Sequence, residues 1–278
     1  MATAARQKPP ICMSFPLSME RRCSPKKINS QDWSLTDRQQ RLSWWNQAKI
    51  RSAKILLVGA GGLGSNQGKI LVQMGAGGLV FIDPDLVEDS NRNRQFFRAE
   101  DVGKPKAHQV IENLAPYATH RALLRGYFMT FEDWLTQYRR RRYTAICCGV
   151  DSLATMVAVA RHGLTTRTPV VFTNVSEDGE CCRIFIQRPG SAQPCFACYR
   201  PDAITLLLAE RRPCVPVPAI ADVLHVAVGF GTRAAIGEIF GVPIGDYNCR
   251  DISFAGIDLV KNIVKRDNCP LCGSRKGE

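Results

Sequence analysis

The residues from Lys54 to Asp85, KILLVGAGGLGSNQGKILVQMGAGGLVFIDPD, hold the pattern best suited to chemistry. Gly59-x-Gly61-x-x-Gly64 follows an apolar run and leads into a helical pattern. The backbone N–H groups of the turn, Gly62 included, and the positive end of the helix dipole therefore face one point. That point suits a phosphate. About 20 residues further on, Asp83 closes a second apolar run, where a carboxylate accepts hydrogen bonds from a ribose hydroxyl. The spacing implies a nucleotide and leaves NAD and ATP both open.

A second constellation lies among the twelve cysteines. Cys195-x-x-Cys198 and Cys269-x-x-Cys272 have the spacing of a structural four-thiolate Zn2+ site, two knuckles that each present both sulfurs to a tetrahedral ion. Such a site closes the metal's coordination shell, ties the C-terminal part to the middle of the chain and does no chemistry itself. Cys147, Cys148, Cys181 and Cys182 stand in strand-like runs, where cysteine acts as a small hydrophobe. None of the four histidines forms a pattern with a serine or cysteine nucleophile, so a hydrolase constellation has little support.

These groups need a scaffold. Lys54–Gly59 reads as a buried parallel strand, Gly64–Met74 as a helix, Leu79–Asp83 as a second strand and Lys106–Leu114 as another helix. Thr144–Gly149 and Val170–Thr173 supply later strands, with a helix over Ser152–His162 between them. This alternation predicts an α/β fold with a Rossmann-like, doubly wound, mostly parallel sheet, followed by a C-terminal extension with the four-cysteine site. Upstream, SLTDRQQRLSWWNQAKIRSA has helix-forming composition, with Ser34 or Thr36 as N-cap. Residues 1–30, rich in Pro, Ser, Lys and Arg without periodicity, read as a flexible N-terminal extension outside the core.

Composition sets the outer bounds. A chain of 278 residues, 45% hydrophobic and 22% charged, can bury a substantial core and is neither fibrous nor disordered throughout. There is no run of about 18 apolar residues and no secretory pattern, so the expectation is a cytoplasmic protein with no membrane segment. A reducing compartment favours metal binding or catalysis over disulfides. The net charge of +12 is concentrated in Arg139–Arg142, in Arg21, Arg22, Lys26 and Lys27, and in the tail. Without interleaved aromatics it argues for solvated faces or an acidic protein partner rather than nucleic acid.

The segment DPDLVEDSNRNRQFF, followed by GKPKA and then GVDS, decides between the nucleotides. With Asp83, Asp85, Val87, Ser90, Asn91, Arg94 and Gln95 at the matching positions, it resembles the MoeB/ThiF/HesA family of ubiquitin-activating-like adenylating enzymes, from about Asp37 to Cys272. A dehydrogenase has no need for an Asn-x-x-Arg pair and a downstream lysine beside the ribose. An enzyme in which a carboxylate attacks the α-phosphate of ATP does, because charge accumulates there as pyrophosphate leaves.

The resemblance implies that residues 31–278 form a ThiF-type adenylation domain. It implies that Gly59, Gly61, Gly62 and Gly64 cradle ATP, that Asp83 holds the ribose, that Asn91, Arg94 and Lys106 contact the phosphates, and that Asp151 holds Mg2+. Blander readings make Lys106 a solvated helix start and Asp151 a helix cap. An arginine of the N-terminal helix reaches the partner's ATP in family dimers; the matching residue is Arg41, with Arg38 second. Cys214, in RRPCVPVPAIADVLHVAVGFG, matches a cysteine that accepts the activated protein in many members, and Arg211 and Arg212 would favour its thiolate. Cys249 is a distant rival, and no cysteine is expected in the adenylation site itself.

The implied function is ATP-dependent adenylation of the C-terminal glycine of a ubiquitin-like or sulfur-carrier protein ending in Gly-Gly. Transfer to a cysteine, a conjugating enzyme or a sulfur donor would follow, in a homodimer. The WWNQ stretch is similar to bacterial members found with ubiquitin-like conjugation systems. Sulfur-carrier adenylation in cofactor or natural-product biosynthesis stays open, and so, further off, do an NAD-dependent oxidoreductase and a non-catalytic adaptor.

Overall fold

The computed structural model describes residues 35–118, 122–209, 219–242 and 245–273. The 1–30 extension and Cys214 lie outside them. Short apolar runs rich in Leu, Ile, Val and Phe form strands buried on both faces, as central strands of a parallel sheet must be. β1 (Lys54–Val58) and β2 (Gly78–Ile82) lie beside β3 (Leu123–Tyr127) on one side, and β4 (Ala145–Cys148) and β5 (Val170–Val175) extend the other. The order is β3-β2-β1-β4-β5-β6-β7-β8. The first five are mutually parallel. β6 (Cys181–Gln187), β7 (Cys249–Ser253) and β8 (Ile257–Lys261) add antiparallel. The alternating expectation held for β1, β2, β4 and β5, whereas β3, β7 and β8 mix apolar and polar residues over five positions and were not read as strands.

Because side chains alternate along a strand, each face of the sheet has its own core. Ile55 and Leu57 of β1 pack on one side with α3 (Gly62–Gln73), α4 (Lys106–Leu114) and α9 (Ala221–Phe240). Leu56 and Val58 pack on the other with α5 (Phe131–Tyr138), α6 (Leu153–Thr166) and α7 (Phe196–Tyr199), ahead of α8 (Ala203–Ala209). By length and composition α9 could cross a membrane, but it packs on α3, β5 and β6.

The stretch after Ser34 is not one helix. α1 (Asp37–Gln40) ends within four residues, and α2 (Gln47–Ser52) begins afresh where the Asn46 side chain accepts the Lys49 N–H. Thr36 flanks α1 without a side-chain cap. Trp45 is the cause: its ring is buried edge-on against Phe240 at 5.2 Å, which pins the chain between the two turns.

Candidate active site

The strand order reverses between β1 and β4, and an open α/β sheet binds ligands in the crevice at such a point. Here a cleft of about 1220 Å³ opens beyond the C-terminal ends of the strands. β1 delivers Gly59 to its floor with φ of +94°, a conformation that glycine adopts without strain. Gly61 is the N-cap of α3, so the first amides of the helix face the cleft. Gly64 serves packing rather than lining: a Cβ there would lie 1.9 Å from the Gly59 carbonyl oxygen.

Asp83, at the end of β2, accepts from Ala60 N at 2.6 Å and from Asp85 N at 2.8 Å. It thereby ties the glycine turn to the next strand. Burial pushes its carboxyl above the usual aspartate range, opposed by those two N–H groups and by Lys106. Lys106 is not a solvated helix start. It is buried at the first position of α4, and its Nζ lies 2.9 Å from Asp85 Oδ2. The backbone holds it there: Lys106 N donates to Asp85 O at 2.9 Å, and Val87 N donates to Lys104 O at 2.8 Å.

Asn91 closes a short 3-10 turn, its side-chain oxygen accepting from Glu88 N at 3.1 Å. Arg94 is braced by Ser90 O and Asn93 Oδ1, both at 2.9 Å from its Nη1. Asn66 of α3 in turn holds the Arg94 carbonyl. Of the cations lining the cleft, Lys106 pairs with Asp85, Arg183 with Asp251 and Arg200 with Asp202. Among the described residues Arg94 has no carboxylate partner. Asp151 also lines the cleft, and it is Ser152 that caps α6, accepting Thr155 N at 3.3 Å. The bland readings of Lys106 and Asp151 therefore both fall.

The structure thus gathers Gly59, Gly61, Gly62, Asp83, Asn91, Arg94, Lys106 and Asp151 in one cleft. It leaves Arg41 outside, paired with Asp37 at 2.7 Å. Gln95, matched in sequence but given no role, lines the cleft too, and reading from sequence missed Thr130, Glu132 and residues 174–178, which come from the start of α5, a strand end and a turn without a motif. It also missed Cys181. The expectation of a cleft without cysteine is corrected: the half-buried Cys181 at the start of β6 lines it. Cys249 is corrected as well, since it is buried in β7 and burial pushes its thiol to about 11. Cys147 and Cys148 behave as the small hydrophobes expected, buried and pushed to about 12.

Away from the cleft, the sulfurs of Cys195, Cys198, Cys269 and Cys272 lie within 4.8 Å of one another. Cys195 Sγ is 3.4 Å from Cys269 Sγ and 3.9 Å from Cys198 Sγ. Burial pushes the Cys195 thiol up and takes Cys272 to about 11. At Cys269 burial is overcome by the N–H groups of Cys272 and Leu271 and by the neighbouring thiols, which bring it to about 7. The cluster joins the segment after β6 to the C-terminal segment, 74 residues apart in sequence.

The family model described as the ThiF family matches residues 32–268. The chain belongs to the ThiF family. This ThiF-family chain is 27% identical over 239 residues to a sulfur carrier protein adenylyltransferase of Thermus thermophilus, covering 82% of this chain and 84% of the relative. It is 29% identical over 256 residues to ubiquitin-like modifier-activating enzyme 5 of Oryza sativa, covering 84% of this chain but 59% of that protein. It therefore spans little more than half the length of the rice relative. A crystal structure of E. coli MccB with ATP shares the fold at TM-score 0.72 and 20% identity, over 88% of this chain and 75% of that one.

Proposed function

We propose that this protein adenylates the C-terminal carboxylate of a ubiquitin-like or sulfur-carrier protein. The observation that carries the reading is Arg94, a braced guanidinium with no carboxylate partner among the described residues, facing the same cleft as the glycine turn. A cation held this way is placed for charge that develops on a phosphate. The relatives support it: one is named a sulfur carrier protein adenylyltransferase, another a ubiquitin-like modifier-activating enzyme.

In the proposed reaction a carboxylate oxygen of the terminal glycine attacks the α-phosphorus of ATP. The new bond gives an acyl-adenylate, the α–β phosphoanhydride breaks, and pyrophosphate leaves. The amides of the Gly59–Gly64 turn and α3 hold phosphate oxygens, and Asp83 takes a ribose hydroxyl on a lone pair left by Ala60 and Asp85. Asn91 donates its side-chain NH2, whose oxygen partner is already used. Arg94 and Lys106 meet the charge on the phosphates.

Asp151 would hold Mg2+. Carboxylates crowd the cleft, with Asp85, Glu88, Glu132, Asp151, Glu177 and Asp178 all lining it, and a triphosphate entering among them calls for a divalent ion, which would neutralise the phosphates. The four-cysteine cluster suits Zn2+. Its sulfur spacing is close to the roughly 3.8 Å of a tetrahedron with Zn–S near 2.3 Å. The metal would brace the C-terminal segment.

In the homodimer we propose, Arg41 would leave Asp37 to reach the partner's cleft, and the Cys214 thiolate would attack the acyl carbonyl of the adenylate to form a thioester as the acyl–phosphate bond breaks and AMP leaves. The deciding test is ATP–pyrophosphate exchange with small proteins ending in Gly-Gly. Exchange that depends on the carrier and falls on the order of a hundredfold in Arg94→Ala and Asp151→Ala supports the reading; near-wild-type exchange in both would sink it.

A further inference from the structure

The end of the sheet opposite the cleft is basic, and among the described residues its cations bond no carboxylate. Arg51 lies in the last turn of α2 and Lys54 opens β1; both are exposed. Thr144 N donates to Lys54 O at 2.7 Å, and Lys54 N donates back to Thr144 Oγ1 at 3.1 Å. That exchange brings the run Arg139–Arg142, which follows α5, against the start of β1. On the far side, Ile146 N donates to Pro169 O at 2.9 Å, which places the exposed Arg167 beside the same run. The ends of α2, α5 and α6 and the starts of β1, β4 and β5 therefore meet in one surface.

Elsewhere several surface cations are paired, although Lys69, Lys104 and Lys265 bond no carboxylate among the described residues. Arg92, Arg98, Arg188, Arg250 and Lys261 all bond carboxylates. Among the described residues Arg51, Lys54, Arg139, Arg140, Arg142 and Arg167 bond none, and Glu112, in the last turn of α4, pairs with none of them. Arg167 is notable for a second reason. It caps α6 with φ of 54°, the left-handed conformation in which glycine is unstrained, so an arginine is held where backbone preference disfavours it. Uncompensated like charges repel one another and raise the free energy of the folded state, and an external anion would relieve this.

We propose that this face docks an acidic segment of a partner protein. The cations are arginines apart from Lys54, and the guanidinium fork suits carboxylates in pairs. The aromatic rings here are already engaged: Arg141 lies over Tyr138 at 4.3 Å and donates to Tyr127 Oη at 2.9 Å. Bases would find no free ring to stack on. Leu123 and, just beyond the C-terminus of α9, Val242 are exposed large apolar side chains at this end, and the vesicle arm of the test decides whether a membrane uses them. The face lies the length of β1, about 16 Å, from the cleft floor. A partner bound here leaves the cleft open, and tethering raises its effective concentration at the cleft. The proposal does not rest on the adenylation reading.

The test is fluorescence anisotropy of a labelled glutamate-rich peptide with the full chain, at low and at physiological salt. Two comparison probes are a single-stranded oligonucleotide of equal charge and phosphatidylserine vesicles. The variant Arg139→Gln/Arg140→Gln/Arg142→Gln should weaken peptide binding about tenfold. A control, Lys69→Gln/Lys104→Gln/Lys265→Gln, removes the same charge elsewhere and should change it little; thermal melting confirms that both variants are folded. Equal loss in the two variants would reduce the effect to net charge and overturn the proposal. Tighter binding of the oligonucleotide or the vesicles than of the peptide would also overturn it. Neither readout requires ATP, so failure here is distinct from failure of exchange.

Discussion

Ala60 donates its amide to Asp83 Oδ2 at 2.6 Å, so the residue in the glycine turn and the acid expected to hold the ribose are joined before any nucleotide binds. Asp83 is thus a structural acceptor as well as a ligand group, and its burial gives this a pH signature.

Burial raises the Asp83 carboxyl above its ordinary value of 3.8. The folded chain therefore holds this proton more tightly than the unfolded chain, and the contribution is fully present below 3.8 and lost as pH rises through the raised value. Asp83→Asn removes that titration. Its melting temperature is expected to lie furthest below wild type at low pH, with the gap narrowing as pH rises; a gap that widens would reverse the sign. Thermal melts in a pH series measure it.

Gly64→Ala sets a methyl 1.9 Å from the Gly59 carbonyl oxygen, and backbone cannot yield as a side-chain tip can. About 1–3 kcal/mol of destabilisation and loss of ATP binding are expected. Gly229→Ala within α9 meets nothing within 4 Å. It should stabilise the fold by about 0.5–1 kcal/mol. Denaturant unfolding of the two variants checks both signs.

Metal analysis of purified protein should find about one Zn2+ per chain, from the four-thiolate spacing. Cys269→Ser should lose the metal and lower the melting temperature, because binding is coupled to folding. Chelator treatment should destabilise the wild type and leave Cys269→Ser unmoved. Cys147→Ser, a strand residue outside the cluster, should keep its zinc.

Thiol reactivity separates the remaining cysteines. At neutral pH iodoacetamide should label Cys181, half-buried at the cleft, well ahead of Cys147, Cys148 and Cys249, whose burial keeps them protonated. Bound ATP should slow labelling of Cys181. Cys214→Ala should keep pyrophosphate exchange and lose any reductant-sensitive adduct with the carrier, because activation and transfer are separate steps. Intact-mass spectrometry reads both. An adduct that survives in Cys214→Ala and vanishes in Cys181→Ala would move the acceptor into the cleft.

Residues close in sequence, or bound to a repeated pattern, were legible without coordinates. The Gly59–Gly64 turn reads from the step between an apolar strand and a helix, and α4 at Lys106–Leu114 from its apolar stripe. The paired Cys-x-x-Cys spacings read from the geometry of a tetrahedral ion, because each pattern is a local backbone requirement. Tertiary structure decided what depends on distant partners. The placing of Lys106 comes from its two bonds to Asp85, and the break between α1 and α2 from Trp45 meeting Phe240. Cys181 and Cys249, alike as cysteines in strands, part only because the first opens β6 at the cleft while the second is buried in β7. The gathering of Arg51, Lys54, Arg139, Arg140, Arg142 and Arg167 on one face follows from strand order, which no local pattern encodes, since sheet pairing joins segments whose contact is settled by the packing of the whole core.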